Sequence, residues 1–586
     1  VLSPLIAFTA PALSDPPAAK DENVAIVPGK APIIIQLHGY DRAKKRLGAF
    51  LSNALPDLAP KLTGKIDAGM KDLLEGRDTK AVSKNGHVFI VINELDGLAE
   101  NPQWSVVVPV SGFTAFRDSF LTEAERKTVK KEDDGYYSVK TEKLDENLYI
   151  ADRKTAVVIT KEKDLAKLYA GGDYSGLDKA LGAGTAKAFL QTDAAVYVSL
   201  KEINNKYGAQ IKGFKALLPL VLNQAQGVDK NQIEMIKEIF NAFTDLFDDG
   251  EAFVLAFEFR EEGANLKMQV QFGAKTDTNE VLKEFKPASL SQIGTLPLGQ
   301  LAYTASNMDF SKSKTLSKIA YSMIADDEDE DAKAKIQAAV KELTEQKTSI
   351  QLKASSMLNQ GLEVDESADG NKLAAAHLNL LKALTKTSKF GSIPLKDKPT
   401  IKENAETVGN VKLNYAKLTF DLEKAVEAAP EQTREAMKAY MTKMMGDGLK
   451  MWFGSDGKSY IQVVAKDFSE AKALLQEYLD GKKVLEKDEG YIATRKQLPA
   501  EASLVMVGDS CRMIEMGLDL VKDAIAQMGL PGVPALPQLK APKAKPAYFG
   551  AAVTMKSEYV SLDVFVPTTA VQQIRKMFAP VLNDDN

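Results

Sequence analysis

One order of elements recurs five times along the chain: a strand, a long helical stretch, a two-strand hairpin and a short helix. The first run opens at 31–40 (APIIIQLHGY), continues through an amphipathic region at 42–74, pairs strands at 87–95 and 104–110, and closes at 113–121. The second opens at 194–199, fills 201–247 with helix, and pairs 252–259 with 264–272 across the turn REEG before a helix at 279–285. The third uses 300–305, helices at 312–324 and 332–346, the hairpin 349–357 with 361–367, and a helix at 372–384. The fourth uses 411–420, 430–445, the hairpin 449–453 with 459–465, and 468–479. The fifth uses 503–507, 513–528, the hairpin 548–555 with 559–566, and 568–578. Alternating apolar and polar residues mark the strands, and apolar residues three and four apart mark the helices.

A hairpin plus one further strand has a face to bury, and a long amphipathic helix can cover it. The fold class expected is therefore α+β: repeated strand–long helix–β-hairpin–helix modules forming mostly antiparallel sheets under amphipathic helices. The module boundaries fall at 31–185, 186–290, 291–400, 401–498 and 499–586. Residues 1–30 read as an extended N-terminal segment or a signal remnant, and 530–546 as a Pro-rich mobile loop inside the fifth module. KKEDDGYYSV (130–139) and LEKDEGYIAT (485–494) both read as an acidic turn followed by a Tyr that starts a strand. Modules one and four are thus expected to carry a connecting hairpin each.

Composition narrows the chemistry. Lys and Arg number 75 against 80 Asp and Glu, and only 11 of the basic residues are Arg. Lys alternates with acids along the helices, which is a solvated surface rather than a nucleic-acid footprint. Cys511 is the single cysteine, so no intramolecular disulfide forms. Nothing after the N-terminus stays apolar for the about 20 residues of a membrane helix. VLSPLIAFTAPALS (1–14) reads as the tail of a secretory signal or as a packed strand.

Each candidate catalytic motif lacks a residue its chemistry requires. IIIQLHGY resembles the strand and His-Gly corner of α/β-hydrolases. VMVGDSCR (505–512) resembles both the G-x-S-x-G elbow and the Gly-Asp-Ser block of SGNH hydrolases. Arg512 stands where the elbow needs a small residue, and His38, His87 and His377 all precede Ser510, whereas the catalytic His of both families follows its Ser. Ser510 reads instead as a helix N-cap. None of the three histidines has metal-ligand spacing. The acidic run 326–331 lacks the central Gly of a calcium loop and reads as a helix start. WFGSDGKSY reads as a hairpin turn, not a phosphate loop. No catalytic residue, metal or cofactor is assigned. The Met-rich stretch 436–453 is core by default, and Met441, Met444, Met445, Met451 and Trp452 are the candidates for lining an apolar ligand cavity.

The leads GKAPIIIQLHG, GTLPLGQLAYTAS and KQLPAEASLVMVG, with VPVSGFTAFRDSFL, resemble large exported hypothetical proteins of planctomycete-type bacteria. The resemblance implies an extracytoplasmic protein with no assigned activity. The function expected is a non-enzymatic binding, scaffold or cell-surface protein, with a protein partner or a second copy of itself. The alternatives are a carrier of a lipid or other apolar molecule, and a hydrolase using Ser510. Neither nucleic acid nor a transmembrane helix is expected.

Overall fold

The strand-forming runs IIIQLH and HVFIVI are apolar at almost every position, the pattern of strands with both faces covered. In the computed structural model they are β1 (Ile33–His38) and β2 (His87–Ile92), followed by β3 (Trp104–Pro109), β4 (Lys130–Lys131), β5 (Tyr136–Lys140), β6 (Asn147–Asp152), β7 (Ala156–Thr160) and β8 (Ala194–Val198). The structure describes residues 22–582 apart from 75–76, 96–101, 142–146, 225–247, 309–329, 358–359, 386–387, 391–392, 428–430, 447 and 529–538. The chain divides into two compact units. Unit one gathers the chain up to Leu47 with Lys61–Glu202 and Val254–Glu258, and unit two gathers Gly48–Pro60, Ile203–Phe253 and everything from Phe259.

Unit one is an antiparallel sheet in the order β8-β1-β2-β3-β7-β6-β5-β4. One face is dry: Ile34, Phe89, Val91, Val107 and Tyr197 are buried there with Phe189 and Tyr169 of the helices Ala183–Leu190 and Lys163–Gly171. Phe89 and Phe189 stack at 6.3 Å, and the Tyr169 hydroxyl lies 2.7 Å from Ser105 Oγ. On the opposite face, the far strands are covered by the helix Phe113–Phe120, which buries Phe116 against Val139, Ile150 and Val157. The next helix, Glu123–Thr128, starts on a complete capping box between Thr122 and Glu125. Arg77 holds the buried Glu125 carboxylate with two hydrogen bonds of 2.6 and 2.7 Å. Burial alone would raise the Glu125 carboxyl; Arg77 and Thr122 outweigh it and hold it below the usual range. Thr122→Ala should cost about 1 kcal/mol, measured by chemical denaturation.

Unit two adds β9 (Gly250–Phe259, whose Val254–Glu258 belongs to unit one), β10 (Gly263–Phe272), β11 (Ala302–Ser306), β12 (Thr348–Met357) and β13 (Gln360–Ser367). A small hairpin, β14 (Lys389–Phe390) with β15 (Ile393–Pro394), precedes β16 (Thr400–Val408), β17 (Val411–Leu418), β18 (Leu449–Ser455) and β19 (Ser459–Val464). The last strands are β20 (Leu504–Asp509), β21 (Tyr548–Lys556) and β22 (Tyr559–Pro567). Antiparallel pairing runs β10-β22-β21-β20-β11-β12-β13-β19-β18-β17-β16. One face buries Tyr303, Leu352, Val364, Ile461, Val463 and Val505 with Leu475 and Tyr491 of the helices Phe468–Asp480 and Glu489–Gln497. The other buries Met451, Phe453 and Tyr460 under Ile336 and Val340 of Glu330–Glu345 and Leu373 and Leu381 of Gly370–Leu384.

The α+β class and the mostly antiparallel sheets are as expected, and most expected strands fall within two residues of their predicted bounds. In four of the five stretches the opening strand pairs with the first hairpin strand: β1 with β2, β11 with β12, β17 with β18, β20 with β21. Val27, Leu296 and Leu498 are each buried, each followed by Pro, and each six residues ahead of the first residue of β1, β11 and β20. The stretch 186–290 is divided between the units, because β8 pairs with β1 in unit one while β10 pairs with β22 in unit two.

Four local expectations are corrected. Residues 22–30 are not extended: Glu22–Ile26 is a 3-10 helix, Val24, Ile26 and Val27 are buried, and the Gly29 amide donates to Ser175 O. The stretch 485–494 contains no strand and no connecting hairpin. Asp488 caps the helix Glu489–Gln497 through the Tyr491 amide, and Tyr491 is buried within it. Ser510 is not the N-cap: Asp509 Oδ1 accepts from the Arg512 amide at 3.2 Å, so the helix Ser510–Met528 begins one residue earlier. The end of the Pro-rich stretch is fixed, since Leu539 is buried with Cys511 and Met577 and the Ala541 amide donates to Glu515. The helix expected at 312–324, the acidic positions 326–329, and 225–247, 530–538 and 1–21 lie outside the described residues.

Candidate functional site

The pairing register fixes which residues share a face, because directly opposed residues point the same way. In unit one Ile33, Ile35 and Leu37 oppose Ile92, Ile90 and Val88 on one side and Val198, Val196 and Ala194 on the other. Ile92 and Ile90 in turn oppose Trp104 and Val106. Every position on this face of β8, β1, β2 and β3 is apolar. None is fully buried: Leu37 is 42% exposed and the rest are half-buried, while their neighbours Ile34, Phe89, Val91 and Val107 on the dry face are at 0%. The helix Ala59–Leu74 turns Leu62 and Ile66 to a half-buried side and most of its other described residues to solvent.

Unit two repeats this feature. Leu266 and Met268 oppose Val564 and Leu562, which oppose Ala551 and Val553, which oppose Met506 and Leu504. All but Ala551 are half-buried. Continuing along the same face, the sheet turns polar: Thr304 and Ser306, then Gln351 and Lys353, then Glu363 and Asp365, then Gln462 and Tyr460.

Met451 and Trp452, both expected to line one apolar cavity, are not brought together. Met451 and Trp452 are successive in β18 and therefore point to opposite faces. Met451 is buried with Phe453 and Tyr460, and Trp452 is buried with Leu475 and Val463 on the other side. Met441 is half-buried on the helix Glu431–Met445, and the side chains of Met444 and Met445 lie outside the described residues. A single cavity cannot take both Met451 and Trp452.

One polar constellation escaped the sequence reading. The β1–β2 pairing places His38 directly opposite His87, and the rings meet edge to face at 4.1 Å. Gly39 makes the turn that follows: its φ is +49°, and a Cβ there would lie 2.5 Å from Lys84 O. Arg42 Nη1 lies 3.0 Å from His38 Nε2. Arg46 Nη1 reaches both Asp193 at 3.3 Å and Glu258 at 3.1 Å, and Asp193 is 1% exposed. Burial, then His87, Arg42 and Arg46, lower the His38 pKa to about 4; burial and then Arg42 lower that of His87 to about 4. Both rings are neutral at pH 7 and unsuited to act there as general acids.

A depressed His pKa contributes stability that is complete above the unfolded value of 6.5 and is lost as pH falls towards the folded value. The buried His87 alone should remove up to about 3 kcal/mol between pH 6.5 and pH 4. His87→Asn should flatten that part of the profile, read by urea unfolding at pH 7 and pH 4.5.

Ser510 is 5% exposed and its Oγ makes no hydrogen bond, so no base is set on it. Burial, then Asp509 and Glu515, push the neighbouring Cys511 thiol up to about 11. Among the described residues no group of three His, Cys, Asp or Glu could hold a metal ion, and no helix is long and apolar enough to cross a membrane.

No family model and no curated protein matches the chain. Among solved structures, crystal form I of TP0453 is similar at a TM-score of 0.21, with 10% identity over 44% of this chain and 81% of that one. A likeness at that level carries no argument.

Proposed function

We propose that the protein is a non-enzymatic, extracytoplasmic binder of an apolar, chain-like molecule. The observation that supports this is the aliphatic face of β8, β1, β2 and β3. Strands that are apolar on both faces belong inside a protein, yet this face is only half-buried. Each Å² of it removed from water is worth about 25 cal/mol, so an apolar molecule laid along it gains without any polar contact. A flat protein partner would need an exposed face, and only Leu37 there is exposed. The site offers neither a nucleophile nor a charge for chemistry. An extracytoplasmic location is what the resemblance of the Pro leads to exported proteins implies. The shared Pro leads and strand pairings favour related modules.

Organic extraction of the native full-length protein, followed by mass spectrometry, tests the reading. A long-chain apolar molecule should be recovered, and the stripped protein should take up palmitic acid saturably. A protein that yields no such molecule and shows no saturable uptake ends it.

A further inference from the structure

Beneath the helix Gly370–Leu384, β13 turns the buried Asp365 inward, with the half-buried Glu363 beside it. Glu363 and Asp365 are two residues apart on one strand, so they share a face. Glu363 is opposed by Lys353 and Gln462, and Asp365 by Gln351 and Tyr460. Asp365 is 4% exposed and its Oδ1 has no hydrogen-bond partner. Ser367 Oγ, two residues further on, is also buried without one. The Tyr460 hydroxyl is engaged with Gln462 Oε1 at 2.7 Å, and the His377 ring stacks flat on Tyr460 at 4.0 Å, 5° from parallel.

A buried carboxylate oxygen without a donor costs several kcal/mol unless something supplies one. Among the described residues the surroundings supply none. Burial keeps His377 neutral, its pKa lowered to about 4. Lys353 is exposed, and its attraction falls on Glu363 and not on Asp365. The wall is aromatic on one side and acidic on the other.

We propose that Glu363 and Asp365, backed by Tyr460 and His377, bind the ammonium group of an amine. An ammonium brings three donors and a positive charge, which match an unpartnered carboxylate oxygen, a second carboxylate and a buried hydroxyl. Aromatic faces attract such a cation. A calcium or magnesium ion fits less well, because it takes six or more oxygens and two aromatic rings occupy part of this boundary. Burial, and then Glu363, raise Asp365 to about 8, so at neutral pH it holds a proton that the incoming ammonium displaces to solvent. The site is separate from the apolar face of unit one, and the proposal does not depend on the apolar-ligand reading.

The shared chemistry admits a free amine or a lipid headgroup. Calorimetric titration of the full chain separates them, with ethanolamine as the free amine, phosphatidylethanolamine in detergent micelles as the headgroup, and ethylene glycol as the neutral control. Repeating it at pH 7 in buffers of different ionisation enthalpy counts the protons released. At least one amine should bind saturably and ethylene glycol should not, with about one proton released per amine. Asp365→Asn and Glu363→Gln should each weaken binding at least tenfold while the far-ultraviolet spectrum and a cooperative melt are retained. Tighter ethanolamine binding assigns the site to a free amine, and tighter phosphatidylethanolamine binding assigns it to a headgroup. Absence of saturable binding of either amine, or affinity unchanged in Asp365→Asn, overturns the proposal. Either result leaves palmitic acid uptake unaffected, so the two readings fail separately.

Discussion

At pH 9, Asp365→Asn should unfold at a higher urea concentration than the native chain, while at pH 5 the two should lie much closer together. The folded Asp365 carboxyl is raised to about 8 from its ordinary value of 3.8, first by burial and then by repulsion from Glu363. A carboxyl that holds its proton more tightly when folded destabilises the fold as pH rises. The penalty is absent below about pH 4, grows through the interval between the two values, and is complete above pH 8. The groups facing it are Glu363, whose own pKa is raised by burial despite Lys353, the buried Tyr460, and the neutral His377. None removes a negative charge from Asp365. Replacing the carboxyl by an amide of the same shape removes the ionisation, and relieves Glu363 of its neighbour. The difference in stability gained between pH 5 and pH 9 should be roughly 4 kcal/mol. A variant less stable than the native chain at pH 9 would refute this account of the buried pair.

The same two residues show how far the sequence carries. GLEVDES alternates apolar and acidic positions, which correctly places Leu362 and Val364 on one face and Glu363 and Asp365 on the other. Alternation says which residues share a face, but not whether that face is covered. Gly370–Leu384 covers it, and Asp365 is enclosed while Glu363 is half-buried. The His38–His87 contact was hidden for a different reason. Two helices, Tyr40–Ala54 and Ala59–Leu74, separate the two strands, and only their pairing register brings the rings together. Local chemistry was decisive at 485–494: the Tyr expected to start a strand sits one turn inside a helix, because Asp488 caps it and Tyr491 finds a buried position on its inner side. By contrast, the hairpin at SDGK was legible, since Asp456 Oδ1 accepts from the Lys458 and Ser459 amides and Gly457 takes a φ of +101°. Strands and tight turns are written in nearest neighbours, and enclosure is not. Met451 and Trp452 show the same limit, for composition suggested a shared apolar lining while the period of two in β18 sends them to different cores.

Two adjacent substitutions on β1 separate fold from binding. Ile34 is 0% exposed on the dry face, opposite Val91 and Tyr197. A carboxylate there would be buried without a partner, and Ile34→Glu should cost more than about 4 kcal/mol and abolish the native near-ultraviolet spectrum of unit one. Ile35 points the other way, between Ile90 and Val196 on the half-buried aliphatic face. Ile35 is only half-buried, so the Ile35→Glu carboxylate can reach water and the chain should fold and melt cooperatively. What it should lose is palmitic acid, at least tenfold in affinity, since a fixed charge then sits where the chain must lie. Ile35→Gln, polar but uncharged, should fold as well and bind with intermediate strength. Equal destabilisation by Ile34→Glu and Ile35→Glu would mean that both faces of β1 are core, and the aliphatic face would then have no room for a ligand. Unchanged uptake by a folded Ile35→Glu would place the apolar site elsewhere, with the half-buried face of β10, β22, β21 and β20 the next to be substituted, beginning at Leu562.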